Sequence, residues 1–354
     1  MGYTPLLDDD ALRALFLPFD EGVLRWPTSD RLLCLNACDG FALREHWRPA
    51  WRAQQDFKPL ADGLQRAGID IRAVATEQRF DCVLLLPPRQ RERARALYAQ
   101  ALDHLAPGGA LVASIANNAG AKSAEADLTQ LLGAVESRSK HKCRVLAATP
   151  RDQAIDTGLL ADWRAQGTVQ TILDGAWWSR PGLFAWDRID TASALLATHL
   201  PADLAGHVAD LGAGFGYLAV ATLQRCPGVR AIELYEADAL ALEPARRNLE
   251  RAIAVRGSGR FAVHWHDVTQ GLPQRFDAIV MNPPFHLDRR DQPDLGRAFI
   301  ERAADALTAS GRLLLVANRH LPYEATLKAR FHTVTTRADQ DGFKVIEARG
   351  VRAP

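Results

Sequence analysis

Hydrophobic positions along the chain cluster into short β-prone runs separated by longer amphipathic stretches, and the clearest run is Phe276-Asp277-Ala278-Ile279-Val280-Met281. A largely unbroken apolar run of this length predicts a strand covered on both faces. It leads into Asn282-Pro283-Pro284-Phe285-His286. Two consecutive prolines donate no N–H and fix φ, so this segment should leave the strand as a stiff extended loop that presents carbonyl oxygens and one amide side chain. Upstream, further strands are predicted over 208–211, 230–235 and 261–264, with helices starting at Tyr217 and spanning 239–255. That alternation is the βαβ rhythm of a parallel sheet, which binds ligands at the carboxyl ends of its strands.

The first half repeats the pattern in weaker form. A strand candidate spans 31–36, and Phe80-Asp81-Cys82-Val83-Leu84-Leu85-Leu86 runs into Pro87-Pro88. Phe80-Asp81 and Pro87-Pro88 match Phe276-Asp277 and Pro283-Pro284 at one constant offset, with Leu86 where the second half has Asn282. In each half an amphipathic helix follows, then a glycine turn and a strand (107–117 and 309–318), then a closing β-prone run (143–147 and 343–348). A match of elements in fixed order predicts an internal duplication. The expected fold is α/β, two tandem Rossmann-like domains with a degenerate N-terminal copy, divided near Gln166 into 1–165 and 166–354.

Composition narrows the class only modestly. An apolar fraction of 47% and a charged fraction of 24% are those of an ordinary globular protein. A net charge of +1 leaves nucleic-acid binding to local patches. Five scattered cysteines do not form a disulfide framework, and Cys34 and Cys38, with three residues between them, have no second Cys or His pair at zinc-finger spacing after them, so no metal is expected. The N-terminus has no basic region of a leader and no apolar run is long enough to span a bilayer, which points to a cytoplasmic protein without membrane contact.

Candidate chemistry gathers in the second half. Asp210-Leu211-Gly212-Ala213-Gly214-Phe215-Gly216 is a strand end, a turn with three alternating glycines and a helix start. Tyr217 stands where a hydride-transfer dinucleotide motif needs glycine, and an acid at the strand end suits a cationic amine better than a pyrophosphate. The pattern therefore favours S-adenosylmethionine. Glu236, at the next strand end, can accept both ribose hydroxyls, and Asp267, at the third, can accept from the adenine amine. An exocyclic amine on a base is a poor nucleophile because its lone pair is delocalised. Acceptors such as the Asn282 side-chain oxygen and the Pro283 carbonyl can draw its hydrogens and orient that lone pair, while Phe285 stacks on the ring and aligns it with the methyl donor.

These residues, together with Gly182-Leu183-Phe184, Asp190, Val316-Ala317-Asn318, Leu321-Pro322-Tyr323 and Phe343-Lys344-Val345, resemble the two-domain ribosomal RNA guanine-N2 methyltransferases, in particular the small-subunit branch acting on 16S rRNA. The resemblance is close from about residue 165 to 350, and in outline before it. It implies S-adenosylmethionine as cofactor, catalysis in the second half by Asn282, Pro283 and Phe285, and a first half that supports folding and RNA binding. It also implies that Phe184 and Asp190 line the cofactor or target pocket, with Pro284 and His286 at the substrate and Arg289 and Arg290 beside it. Tyr217 and the 287–291 loop depart from the family pattern and leave target choice open.

Arg89, Arg91, Arg93 and Arg95 crowd a predicted helix start, where the dipole disfavours cations. They are RNA-contact candidates, as is a second basic run from Arg138 to Arg144. The expected partner is ribosomal RNA in the small subunit, and the expected state a monomer. Rival readings are a large-subunit guanine methyltransferase, an adenine-N6 or protein glutamine methyltransferase, both of which more often carry Tyr at the Phe285 position, and a non-catalytic RNA-binding assembly factor.

Overall fold

The protein is described here by a computed structural model covering residues 9–71, 74–284, 286–287, 290–291 and 293–352. The chain divides into two compact units between Thr168 and Val169.

The first unit carries α1 (Asp9–Asp20), β1 (Leu32–Leu35), α2 (Phe41–His46), β2 (Arg52–Gln54), α3 (Lys58–Arg66), β3 (Phe80–Leu85), α4 (Arg91–His104), β4 (Leu105–Ala116), α5 (Ala121–Leu132), β5 (Glu136–Lys140), β6 (Cys143–Ala148) and α6 (Thr157–Gln166). Its sheet order is β2-β1-β3-β4-β6-β5, with the last two strands antiparallel to their neighbours. One core cluster holds Leu32, Cys34, Trp51 and Cys82, and the other holds Leu33, Val83, Tyr98 and Trp163. Successive residues of a strand thus alternate between the two faces.

The second unit begins with a hairpin of β7 (Gln170–Ile172) and β8 (Trp177–Ser179). There follow α7 (Thr191–Thr198), β9 (Ala205–Leu211), α8 (Tyr217–Arg225), β10 (Gly228–Glu236), α9 (Leu242–Arg256), β11 (Arg260–Trp265), β12 (Phe276–Met281), β13 (His286–Leu287) and β14 (Arg290–Asp291). Then come α10 (Pro293–Ala306), β15 (Leu307–Asn318), α11 (Glu324–Arg330), β16 (Phe331–Gln340) and β17 (Phe343–Val351). The sheet order is β11-β10-β9-β12-β15-β17-β16. Strands β9, β10, β11, β12 and β15 are parallel, so their carboxyl ends share one edge. The apolar run 276–281 is the buried strand expected of it, with Ile279, Val280 and Met281 inaccessible to solvent.

The two sheets share one plan down to their irregularities. In the first, β3 and β4 pair at Phe80↔Leu105, skip, and resume at Cys82↔Ala110. In the second, β12 and β15 pair at Phe276↔Leu307, skip, and resume at Ala278↔Arg312. The closing hairpins also correspond, Lys140↔Cys143 in one and Gln340↔Phe343 in the other. Below each hairpin the same amide bond recurs, Asn117 N–H to the Lys142 carbonyl and Arg319 N–H to the Gly342 carbonyl. The fold is therefore the α/β arrangement of two Rossmann-like sheets expected from the sequence. Among the described residues, the counterpart of β11 in the first unit is a single bridge between Ala53 and Ile71.

Candidate active site

The carboxyl edge of the second sheet collects the residues singled out by sequence. β9 ends at Asp210-Leu211, and the chain turns through Gly212 (φ 70°), Gly214 (φ 54°) and Gly216 (φ 86°) before α8. All three φ values are left-handed, which only glycine adopts without penalty. Their surroundings differ. A Cβ on Gly216 would press on Leu234 and Ala245, so this glycine lets α9 approach the turn. A Cβ on Gly212 would come within 3.8 Å of the Pro284 ring, which places the glycine turn against the proline loop. A Cβ on Gly214 would meet nothing, and that open side is where a ligand can approach the backbone.

Asp210 is fully buried, and among the described residues no side chain bonds either carboxylate oxygen; the Ala219 amide alone lies near enough to favour the charged form. Burial pushes its carboxyl up to about 8, and the neighbouring Glu236 carboxylate adds to the push. An orphaned buried acid is a costly feature. It becomes a favourable one when a cation arrives, so the donor set fits the ammonium and sulfonium of S-adenosylmethionine.

Glu236 ends β10 and accepts from Gly214 N–H and Asp238 N–H, each at 2.8 Å, one on each oxygen. Burial pushes its carboxyl up, while these amide bonds hold it down. A carboxylate has about four acceptor positions. Glu236 therefore ties the glycine turn to the sheet and still has capacity for ribose hydroxyls. Asp267 caps the short 3-10 turn that follows β11, accepting from Thr269 N–H at 2.9 Å, the Thr269 hydroxyl at 2.7 Å and Gln270 Nε2 at 3.2 Å. Its place beside the site is fixed by His266 N–H, which donates to the Glu236 carbonyl at 2.8 Å.

Asn282 follows β12 directly. Its Nδ2 donates to Asp190 Oδ2 at 3.0 Å and to Ser193 Oγ at 2.9 Å. A carboxylate can only accept, so this contact fixes which end of the amide is nitrogen. Both donors of Asn282 are engaged, and its carbonyl oxygen is what it has left to offer a substrate. Asp190 is also the N-cap of α7, accepting from Ser193 N–H at 2.8 Å. Sequence resemblance placed Asp190 in the pocket lining; the structure gives it a defined task, holding the Asn282 amide. Ser193 was missed by sequence reasoning, and its signal was the Asp-x-x-Ser spacing at a helix start.

Phe184 is 65% exposed on the segment before α7. Phe285 and Arg289 lie outside the described residues. The backbones of His286 and Arg290 belong to the β13–β14 ladder, and their side chains lie outside the described set. Trp177 packs on Phe215 and Tyr217, and Arg247 lies over Trp178, so both tryptophans anchor the hairpin on its own unit. Asn248, another residue without a sequence signal, is buried and clamps β8 to the glycine turn through the Trp178 backbone and the Phe215 carbonyl.

The arginines before and in α4 belong to the first unit. Arg91 and Arg95 both fork onto the buried Asp127 of α5, and Arg95 also lies over the Trp163 ring. Helix pairing therefore explains both cations at the helix start. Among the described residues no cluster of His, Cys, Asp and Glu could hold a metal ion, and no helix is long and apolar enough to cross a membrane. All five cysteines are buried and none forms a disulfide.

Comparison with known proteins adds an independent observation. Residues 175–347 match the family model of the methyltransferase small domain. A ribosomal RNA small subunit methyltransferase C of Shewanella loihica is 30% identical over 276 residues, covering 77% of this chain and 78% of the relative. The protein of the same name from Pectobacterium atrosepticum is 30% identical over 319 residues, covering 88% and 86%. Among solved structures, a T. thermophilus 16S rRNA N2 methyltransferase in complex with AdoMet and guanosine superposes with a TM-score of 0.75 at 25% identity, over 97% of this chain and 91% of that one.

Proposed function

The chain belongs to the ribosomal RNA small subunit methyltransferase C family, and from that premise we infer that it transfers a methyl group from S-adenosylmethionine to the exocyclic N2 amine of a guanine in 16S rRNA. The observation that carries this reading is the Asn282 amide, whose nitrogen is held by Asp190 and Ser193 so that its oxygen remains to accept from the substrate.

S-adenosylmethionine supplies an electrophilic methyl on a sulfonium sulfur. Asp210 pairs with the positive charge of the donor, Gly214 lets the backbone come close to it, and Glu236 accepts from the ribose hydroxyls. The Asn282 oxygen and the Pro283 carbonyl accept the two N2 hydrogens and turn the nitrogen lone pair towards the methyl. Phe285 and Phe184 are the rings on which the guanine stacks, with Pro284 and His286 bordering it. The new N–C bond forms as the S–C bond breaks, and the proton then leaves N2 to solvent, so no strong general base is required. A guanine within a helix must first be turned out of its stack.

On this reading the second unit, from about residue 166, is catalytic, and the first is a degenerate copy that supports RNA binding. The protein acts as a monomer on rRNA of the small subunit in the cytoplasm. Labelled S-adenosylmethionine offered to free 16S rRNA, small subunits and large subunits, followed by mass-spectrometric mapping, tests this. Label at guanine N2 in 16S rRNA is expected. Incorporation only in large subunits, or at adenine, overturns it.

A further inference from the structure

The two closing hairpins match in backbone but not in charge. In the second unit the tip between β16 and β17 reads Gln340-Asp341-Gly342, and in the first the tip between β5 and β6 reads Lys140-His141-Lys142. Asp341 and Gly342 sit at φ 52° and 82°, while His141 and Lys142 sit at φ 49° and 57°. Thus a lysine occupies a left-handed position that the sister hairpin gives to glycine, the residue that adopts it freely. A side chain kept at a strained position is a pointer to use of that side chain.

The surroundings isolate these cations from structural roles. Arg144 pairs with Glu125 as Lys344 pairs with Glu324, so that ion pair is common to both copies and belongs to the fold. Lys142 is exposed, and among the described residues its side chain has no partner. Lys140 and Arg138 reach only Glu21, at 3.6 Å each, with all three side chains largely exposed, a contact of negligible strength. Every residue of β5 is exposed, so the edge strand presents Arg138 and Lys140 to solvent. The Asn117 amide bond to Lys142 fixes the tip at the carboxyl end of β4, and Lys122, exposed in the first turn of α5, follows shortly after. No acidic residue occupies that turn.

We propose that the β5–β6 hairpin of the first unit is a docking surface for the phosphate backbone of ribosomal RNA, with Lys140 and Lys142 as its principal contacts. Point charges on flexible stems at an exposed edge neutralise phosphates without reading bases. The same tip in the second unit, with an aspartate, is unsuited to this, so RNA affinity is divided: the first unit holds backbone, and the second receives the target base. This extends the rRNA reading of the preceding section and rests on it.

The test replaces Lys140 and Lys142 by the residues of the sister hairpin, Lys140→Gln with Lys142→Gly in the full chain. Filter binding to transcribed 16S rRNA across a salt series is the primary readout. Affinity at low salt should fall about tenfold, and the slope of log K against log salt should become shallower by roughly 1.4 to 1.8, the loss of two phosphate contacts. Calorimetric affinity for S-adenosylmethionine should be unchanged, and the thermal midpoint should be equal or raised by about 1–3 °C through relief of the turn. RNA affinity and salt slope equal to the parent would overturn the proposal while leaving guanine methylation standing. A parent that binds RNA through these lysines yet transfers no methyl to guanine would overturn the functional reading instead. A parent without RNA affinity would overturn both.

Discussion

Near the end of β9 the second unit carries a buried acid with no side-chain partner, and at the matching place in β1 the first unit carries a cysteine. Asp210 pairs with Leu234 and Val280, and Cys34 pairs with Ala53 and Leu84, so the two occupy the same place in the same plan. The difference continues across the sheet edge. Where Glu236 ends β10 with its oxygens on backbone amides, Gln55 follows β2, is buried, and accepts from Phe57 N–H at 2.8 Å. Its Nε2 donates to the Ala37 carbonyl at 2.6 Å and to Asn36 Oδ1 at 3.2 Å. Asn36 in turn donates to the carbonyl of Leu86, the residue matching Asn282, at 2.7 Å.

Two neutral amides thus stitch three strand ends together, in the space that the second unit leaves to a ligand. The scaffold needs none of the site's chemistry to fold. At these strand ends one copy engages its amides with one another and with backbone, and the other leaves Asp210 without a side-chain partner and the Asn282 oxygen available. Binding sites are often kept at the expense of local stability in this way.

Exchanging residues between the copies tests this contrast. The largest effect on methyl transfer is expected for Asn282→Leu, the residue of the silent copy. It removes an acceptor from the reacting amine and should lower kcat by about a thousandfold or more. Affinity for S-adenosylmethionine, measured by calorimetry, should stay within about twofold. Parallel loss of affinity would mean that Asn282 shapes the cofactor site instead.

Next comes Asp210→Asn, which should weaken S-adenosylmethionine binding by about a hundredfold, the order expected when a buried charge loses its counterion. It also carries a pH signature. In the ligand-free protein burial raises the Asp210 carboxyl to about 8, well above the ordinary carboxylate range of about 4. The folded state therefore holds its proton more tightly than the unfolded chain does. The resulting stability is fully present below about 4 and is lost as pH rises through about 8. The parent's ligand-free thermal midpoint should decline across that window, and the Asp210→Asn midpoint should not. Cofactor binding at pH 7 should release close to one proton from the parent and none from the variant, measured by calorimetry in buffers of different ionisation enthalpy.

A smaller effect is expected for Asp190→Asn. Asparagine caps α7 as well as aspartate does, but it can offer its own NH2 to Asn282 and release the fixed amide. Turnover should fall about ten- to fiftyfold with cofactor affinity and thermal midpoint close to the parent. The reciprocal pair Asp190→Asn with Asn282→Asp should recover part of that loss, because the hydrogen bond then runs in the opposite direction. No recovery, together with a lowered midpoint, would reduce Asp190 to a helix cap. The smallest effect on methyl transfer belongs to Gln55→Glu. It faces a carboxylate with the Ala37 and Asn36 oxygens, destabilising the first unit by about 2 kcal/mol without creating a second cofactor site. A second equivalent of bound S-adenosylmethionine in calorimetry would show that closure of the first copy depends on this residue alone.

Much of this was legible before any coordinates. The buried strand 276–281, the proline loop, the glycine turn and the repeat of strand, loop and helix are written in unbroken apolar runs and fixed spacings, which local physics constrains tightly. The edge strands β5 and β16 were not legible. β5 is exposed at every position, and β16 is buried only at Phe331, so neither has an apolar face to leave a period. β2 was too short to read, and its role appears only through Gln55. Arg91 and Arg95 were legible as a charge cluster, but their shared partner Asp127, distant along the chain, was not.

The sequence by itself determined which half holds the acid at a strand end, the glycines at left-handed positions and the amide before two prolines, because each is a local choice. Only the tertiary structure decided how these residues work. Hydrogen-bond partners from separate elements orient the Asn282 amide, burial by the surrounding sheet leaves Asp210 without a side-chain partner, and the matching place in the first sheet is sealed by Gln55 and Asn36. Each of these outcomes depends on groups far apart in the chain meeting in a low-dielectric interior, where an engaged donor or an orphaned acceptor is fixed by its neighbours rather than by its place in the sequence.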